Sequence, residues 1–120
     1  MFNIEFYKDK RGNESVKDYI ISLKCKNTKN SLIKLQKIRD YINVLKKNGV
    51  IAGKSYVKHL DGEIWELRPL RDRILFFCFN GDTIVLLSHF RKTTKKTPKK
   101  EIEKAERLRK KFIERSEADE

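Results

Sequence analysis

Between Glu63 and Phe79 a glutamate and three arginines stand among large apolar residues, with Glu66 and Arg68 at the spacing of alternate strand positions and Arg73 opening the next strand. Alternate side chains of a strand share a face. Such a strand pair therefore buries one face in a core and turns fixed cations outward from the other, with Glu66 and Arg68 emerging together roughly 7 Å apart. His89 and Lys92 close the next apolar run. This set of residues suits phosphodiester cleavage in RNA, where the 2′-hydroxyl is already the nucleophile. The protein must add a general base, cations for the charge that builds on the phosphoryl oxygens, and an acid for the leaving 5′-oxygen. Arg68 and Arg73 suit the second role, His89 or Glu66 the first, and Lys92 or His89 the third. Both arginines are expected to be exposed on the sheet's chemical face, so that neither is needed for folding.

Other chemistries lack their residues. The sequence has no cluster of carboxylates for two-metal catalysis and no glycine-rich phosphate loop followed by Lys-Ser or Lys-Thr, so no metal and no cofactor is expected. Cys25 and Cys78 lack metal-site spacing and are read as reduced, partly buried thiols. The formal charge of +12 points to a polyanionic partner. It is densest in residues 91–115, where twelve Lys or Arg face four Glu. Arg91, Lys95 and Lys96, which continue the last strand, and Lys58 ahead of the array, are candidate RNA-binding or ribosome-binding cations. Lys104 to Lys111 read equally well as a solvated helix face.

The elements that must position these groups follow from periodicity. With 120 residues, 38% of them hydrophobic, the chain has enough for one domain and one modest core. Phe2, Ile4 and Phe6 alternate as a half-buried strand. Val16, Tyr19, Ile20 and Leu23 then mark a helix, ended by the polar run Lys24–Asn30. Leu32, Leu35, Ile38, Ile42 and Leu45 mark a second helix, closed by Lys46, Lys47 and Gly49. The stretch 50–60 has no clear pattern. Asp61-Gly62 turns the chain into the arginine-bearing strands, and Asn80-Gly81 is a hairpin signal, because both central positions of a type I′ turn need positive φ. Along the last strand Val85 and Leu87 share a face with His89 and Arg91, while Ile84, Leu86, Ser88 and Phe90 share the other. Both faces are apolar over most of its length, as in a central strand covered on both sides. Thr97-Pro98 reads as a helix start with Thr97 as the cap, and Ile102, Ala105, Leu108 and Phe112 give that helix its apolar stripe. The expected fold is α+β, in the order β-α-α-β-β-β-α: a small antiparallel sheet with two N-terminal helices packed on it and a C-terminal helix. Residues 1–116 form the domain and 117–120 an acidic tail.

Each candidate has a plainer role beside the chemical one. Arg68 can pair with Glu66 or Asp72, Arg73 can flank a turn, and His89 can be a satisfied strand-end histidine. His59 is read as structural and Trp65 as core. The N-terminus lacks the continuous apolar core of a secretion signal, and no stretch approaches the roughly 18 apolar residues of a membrane span. A cytoplasmic protein without membrane contact is expected.

Trp65-Glu66-Leu67-Arg68, Arg73, Leu86-Leu87, Phe90, Lys92, Lys96-Thr97-Pro98 and Glu101-Ile102 together resemble the phage-derived Gp49-like group of HigB toxins, in the RelE/ParE superfamily of toxin-antitoxin systems. The resemblance spans nearly the whole chain. It implies a ribosome-dependent mRNA endonuclease, a translation-inhibiting toxin neutralised by a HigA-type helix-turn-helix antitoxin, with mRNA on the ribosome as its target. It also implies that Arg68 and Arg73 are the basic strand residues and that Lys92 and Lys96 belong to the lysine segment after the last strand. Many members carry a histidine two residues before the phenylalanine that Phe90 matches. Here His89 stands one residue before it, which on a strand reverses its face and favours a mechanism led by arginine and lysine. Two rivals remain: a gyrase-poisoning toxin of the same superfamily, and a non-catalytic basic module that binds nucleic acid through phosphate contacts.

Overall fold

A computed structural model describes residues 1–118. The chain runs β1 (Asn3–Phe6), α1 (Ser15–Lys26), α2 (Lys29–Asn48), a 3-10 turn at Gly49–Ala52, β2 (Val57–Asp61), β3 (Ile64–Leu67), β4 (Asp72–Phe79), β5 (Thr83–Arg91) and α3 (Lys99–Ala118). The strands form one sheet in the order β1-β5-β4-β3-β2. The α+β architecture is the expected one, with two additions. β2 lies in the stretch that showed no pattern, because an edge strand needs only its partner's hydrogen bonds and Val57 is its one fully buried residue. β1 runs parallel to β5, whereas the other neighbours are antiparallel, so the sheet is mixed.

The helices follow local signals. α1 ends at Asn27, whose left-handed φ of 52° an asparagine tolerates. The next residue, Thr28, opens α2 through a capping box with Ser31. The expected break at residues 24–30 is thus only Asn27 and Thr28, since Lys24, Cys25 and Lys26 complete the last turn of α1. The box also turns Ser31 inward, so the buried stripe of α2 runs Ser31, Leu35, Ile38 and Leu45, and Leu32 is left 41% exposed. Gly49 ends the helix at φ 63°, and its backbone N–H donates to Leu45. A Cβ there would stand 2.8 Å from the Phe2 ring, so the glycine also lets β1 pack close.

The sheet has a core on each face. Val16, Leu23, Leu35, Ile38 and Leu45 from the paired helices cover Leu67, Ile74, Phe76, Ile84 and Leu86. On the other face Ala105, Leu108, Phe112 and Ile113 of α3 cover Ile64, Leu75, Phe77, Val85 and Leu87. The expected α3 stripe is present, and Arg115 anchors the helix by donating to Tyr7 Oη at 2.9 Å and lying over its ring. Asn80 and Gly81 both take positive φ at the β4–β5 turn.

Several expectations need correction. α3 continues through Ser116 and Glu117 to Ala118, and the remainder of the expected tail, Asp119 and Glu120, lies outside the described residues. α3 starts at Lys99, where the Pro98 carbonyl accepts from Glu101, and Thr97 spends its hydroxyl elsewhere. Cys25 and Cys78 are both exposed rather than partly buried. Trp65 packs at the margin of the first core and is only half-buried.

A β-bulge decides the faces of β5. Leu75 pairs with Ser88 and Phe76 with Leu86, so Leu87 is an extra residue. Beyond it the alternation is reversed: His89 pairs with Ile74 and Arg91 with Asp72, which puts both on the α1 and α2 side, while Phe90 joins the α3 side. The simple alternation of the sequence placed His89 and Arg91 with Val85 and Leu87, and one inserted residue moves them to the opposite face.

Candidate active site

Glu66 is the centre of the arginine cluster. It pairs with Leu75 in the sheet and points to the α3 side, beyond the part of that face that α3 covers, and is 1% exposed. A carboxylate this buried requires partners. Thr97 Oγ1 donates to its Oε1 at 2.5 Å, and its Oε2 lies 3.5 Å from Arg68 Nε and 3.8 Å from Arg73 Nε. The antiparallel register of β3 and β4 brings the two arginines to one carboxylate.

The two arginines differ in setting. Arg73, expected on the surface, is 7% exposed. Its Nη1 donates to the carbonyls of Leu70 and Asp72, each at 2.8 Å, and so braces the turn in which Leu70 takes a φ of 57°. Its Nε is buried without a hydrogen-bond partner. Burial lowers the guanidinium below its ordinary range, opposed by the Glu66 charge, but an arginine stays charged. Arg68 keeps 28% of its side chain open and is the arginine that can reach a ligand.

Lys92 follows β5 on this side and is half-buried. Partial burial lowers its ammonium, and repulsion from Arg73 and Arg68 lowers it further, against the pull of Glu66. Lys58 pairs with Glu66 across β2 and β3 and adds to that repulsion. Lys95 and Lys96 are exposed in the loop to α3, where Thr94 Oγ1 donates to the Lys96 carbonyl. Part of the charge on α3 is neutralised locally, since Arg109 forms a bidentate pair with Glu106. Among the described residues no group of three or more His, Cys, Asp or Glu side chains is placed to hold a metal ion, and no helix is long and apolar enough to cross a membrane.

His89 belongs to a different network on the opposite face. Its Nε2 donates to Asp72 Oδ1 at 3.1 Å, Tyr19 Oη donates to the same oxygen at 2.9 Å, and the two rings stack at 3.6 Å between centroids. Burial pushes the Asp72 carboxyl up, but the bonds from His89 and Tyr19 outweigh it and hold it below its ordinary value. Burial, with the Asp72 bond, pushes the Tyr19 phenol well up. Arg91 stands near Tyr19 and adds an opposing effect there, so it too is apart from Arg68. The residue of β5 that faces the arginine side at this level is Ser88, which is 3% exposed.

The family model described as phage derived protein Gp49-like (DUF891) matches residues 27–110. The chain belongs to the Gp49-like family. No curated protein matches it. Among solved structures the chain is similar to the YoeB-YefM complex from Staphylococcus aureus, with 17% identity and a TM-score of 0.50 over 78% of this chain and 99% of that one. That likeness gives the Gp49-like chain a fold of the RelE/YoeB toxin type. The matched segment contains Glu66, Arg68, Arg73, Lys92 and Thr97, whereas Tyr19 precedes it.

Sequence reasoning missed Thr97, Asp72 and Tyr19. Thr97 carried a signal for a different role, as a helix cap, and Tyr19 was counted among the apolar positions of α1. His89→Ala is expected to lower stability by about 1–3 kcal/mol, the cost of removing a donor from the buried Asp72 carboxylate, with little change in any cleavage rate measured below the melting transition. Thermal denaturation and single-turnover assays on the same protein check both halves. The lowered Asp72 value also sets a pH dependence. Its contribution is present above the ordinary carboxyl value of 3.8 and is lost as pH falls through the lower folded value. Acid denaturation should therefore show a smaller loss for Asp72→Asn than for the unmodified chain.

Proposed function

We propose that this chain is the toxin of a type II toxin-antitoxin system: a metal-independent, ribosome-dependent mRNA endoribonuclease that acts in the cytoplasm and is neutralised by a HigA-type helix-turn-helix antitoxin. The observation that carries the reading is Arg68, fixed by a buried Glu66 at 3.5 Å and left open to solvent beside a lysine whose ammonium is held low. A pure phosphate-binding module needs cations but no buried carboxylate to orient them.

In this reading neither expected base serves, since Glu66 is occupied and His89 lies on the other face, so the 2′-hydroxyl loses its proton to solvent and attacks the adjacent phosphorus. The bond to the 5′-oxygen breaks and Lys92 protonates that oxygen, leaving a 2′,3′-cyclic phosphate and a 5′-hydroxyl. Arg68 holds the phosphoryl oxygens as their charge grows. Glu66 orients Arg68 and Arg73, since its carboxylate is already occupied by Thr97 and the two guanidinium groups. His89 supports the start of β4 through Asp72 rather than touching RNA. Lys58, Lys95 and Lys96 supply phosphate contacts on message or ribosome, whereas Arg91 stands on the other face.

The test is to express the chain with and without the neighbouring co-encoded gene and to map message 5′ ends. Cuts inside translated frames support the nuclease, and intact messages with broken DNA assign the chain to gyrase. Because a surface this basic calls for an acidic or apolar cover, the purified complex should leave ribosome-bound message uncut until the antitoxin is degraded. Lys95→Gln together with Lys96→Gln should weaken ribosome association and flatten its salt dependence, because each lost phosphate contact releases fewer counterions.

A further inference from the structure

A groove of about 410 Å³ opens at the edge strand β2, beside Arg68. That volume lies within the roughly 300–1,000 Å³ of small-molecule sites. Its wall is aromatic and apolar, formed by Trp65, His59, Val57 and Val50, and its rim is cationic, formed by Lys54, Lys58 and Arg68. His59 and Trp65 are cross-strand partners whose rings stand 5.0 Å apart at 63°, and His59 Nε2 bonds the Gly62 carbonyl at 2.8 Å, which fixes the imidazole against the β2–β3 turn. The first residue after β3, Arg68, is tied by its backbone N–H to the Tyr56 carbonyl at 2.9 Å, so the groove and the arginine cluster share one rigid segment.

We infer that this groove is a nucleobase subsite, which seats one base of single-stranded RNA against Trp65 and His59 while Lys54, Lys58 and Arg68 hold its flanking phosphates. The inference rests on the proposed nuclease function and deepens it: Arg68 would touch both the seated nucleotide and the phosphate to be cut. The chemistry favours a nucleotide over an apolar peptide. Single-stranded bases stack on aromatic side chains, and three cations around a small aromatic wall match a base with a phosphate on either side.

Trp65 is the chain's only tryptophan, so its fluorescence reports on this groove alone. The full chain is titrated with each nucleoside 5′-monophosphate, with ribose 5-phosphate as the probe that lacks a base. Saturable quenching by nucleotides, stronger for some bases than others and absent with ribose 5-phosphate, is the expected result. His59→Ala and Lys54→Gln, both at exposed positions, should each weaken that binding, by roughly five- to a hundredfold for the loss of an aromatic contact. Equal effects of ribose 5-phosphate and nucleotides would reduce the groove to a phosphate site and overturn the proposal. So would the absence of quenching at millimolar nucleotide, or quenching by the antitoxin and by no nucleotide. The two readings fail separately: message cleavage without quenching removes the subsite and leaves the nuclease, and quenching without cleavage does the reverse.

Discussion

Arg68→Ala is expected to lower the single-turnover rate of message cleavage on ribosomes by about a hundredfold or more and to leave the melting temperature near that of the unmodified chain. Arg73→Ala is expected to lower both. The difference comes from burial. Arg68 keeps 28% of its side chain open and makes a single long ion pair, whereas Arg73 is 7% exposed and donates to two backbone carbonyls as well as facing Glu66. Its removal leaves the buried Glu66 carboxylate with the Thr97 hydroxyl and Arg68 alone as its ion-pair partner, and frees the turn at Leu70. Breaking such a buried set costs about 3 kcal/mol, equivalent to roughly 10 °C in melting temperature for a domain of this size. Thermal denaturation of both variants, followed by cleavage assays well below the lower transition, separates the two effects. Equal melting temperatures would show that Arg73 is not part of the structural frame, and full activity of Arg68→Ala would remove that arginine from the site.

Lys92→Gln should give a loss of comparable size, on the order of 10²- to 10⁴-fold at saturating ribosome, as for a positioned proton donor. The pH profile carries the more specific expectation. An acid works in its protonated form, so the rate is sustained at lower pH and falls as pH rises through the lysine's own value. Partial burial and the neighbouring Arg73 and Arg68 lower that value below the 10.5 of an unperturbed lysine, so the alkaline limb should appear below the ordinary lysine range and vanish in Lys92→Gln. Lys92→Arg keeps the charge but cannot give up a proton at these pH values. A Lys92→Arg protein with the original rate and the original limb would reassign Lys92 to electrostatic stabilisation alone.

Much of the site was legible in the sequence, for a physical reason that has limits. Period two placed Glu66 and Arg68 on one strand face, and the Asn80-Gly81 turn fixed the β4–β5 hairpin, because side-chain direction and turn geometry are local properties of the backbone. The depth of those residues is not local. Glu66 and Arg73 are buried because the loop that carries Thr97 and the turn at Leu70 close over them, and alternation alone cannot distinguish a polar side chain facing water from one facing a partner. The same holds for Trp65, whose size and position predict core but whose ring lines an open groove.

The sequence by itself determined the residue types of the basic cluster, the two helices ahead of it and the central position of β5. Each of these is written in spacing or composition. Only the tertiary structure decided which face His89 occupies, since the bulge at Leu87 is one unpaired residue that no alternation pattern marks. It also decided the sheet order that brings β1 parallel to β5, the strand Val57–Asp61 at the edge, and the contrast in burial between an open Arg68 and a buried Arg73. These features depend on which distant segments meet, and that is set by packing two cores on one sheet rather than by any single stretch of chain.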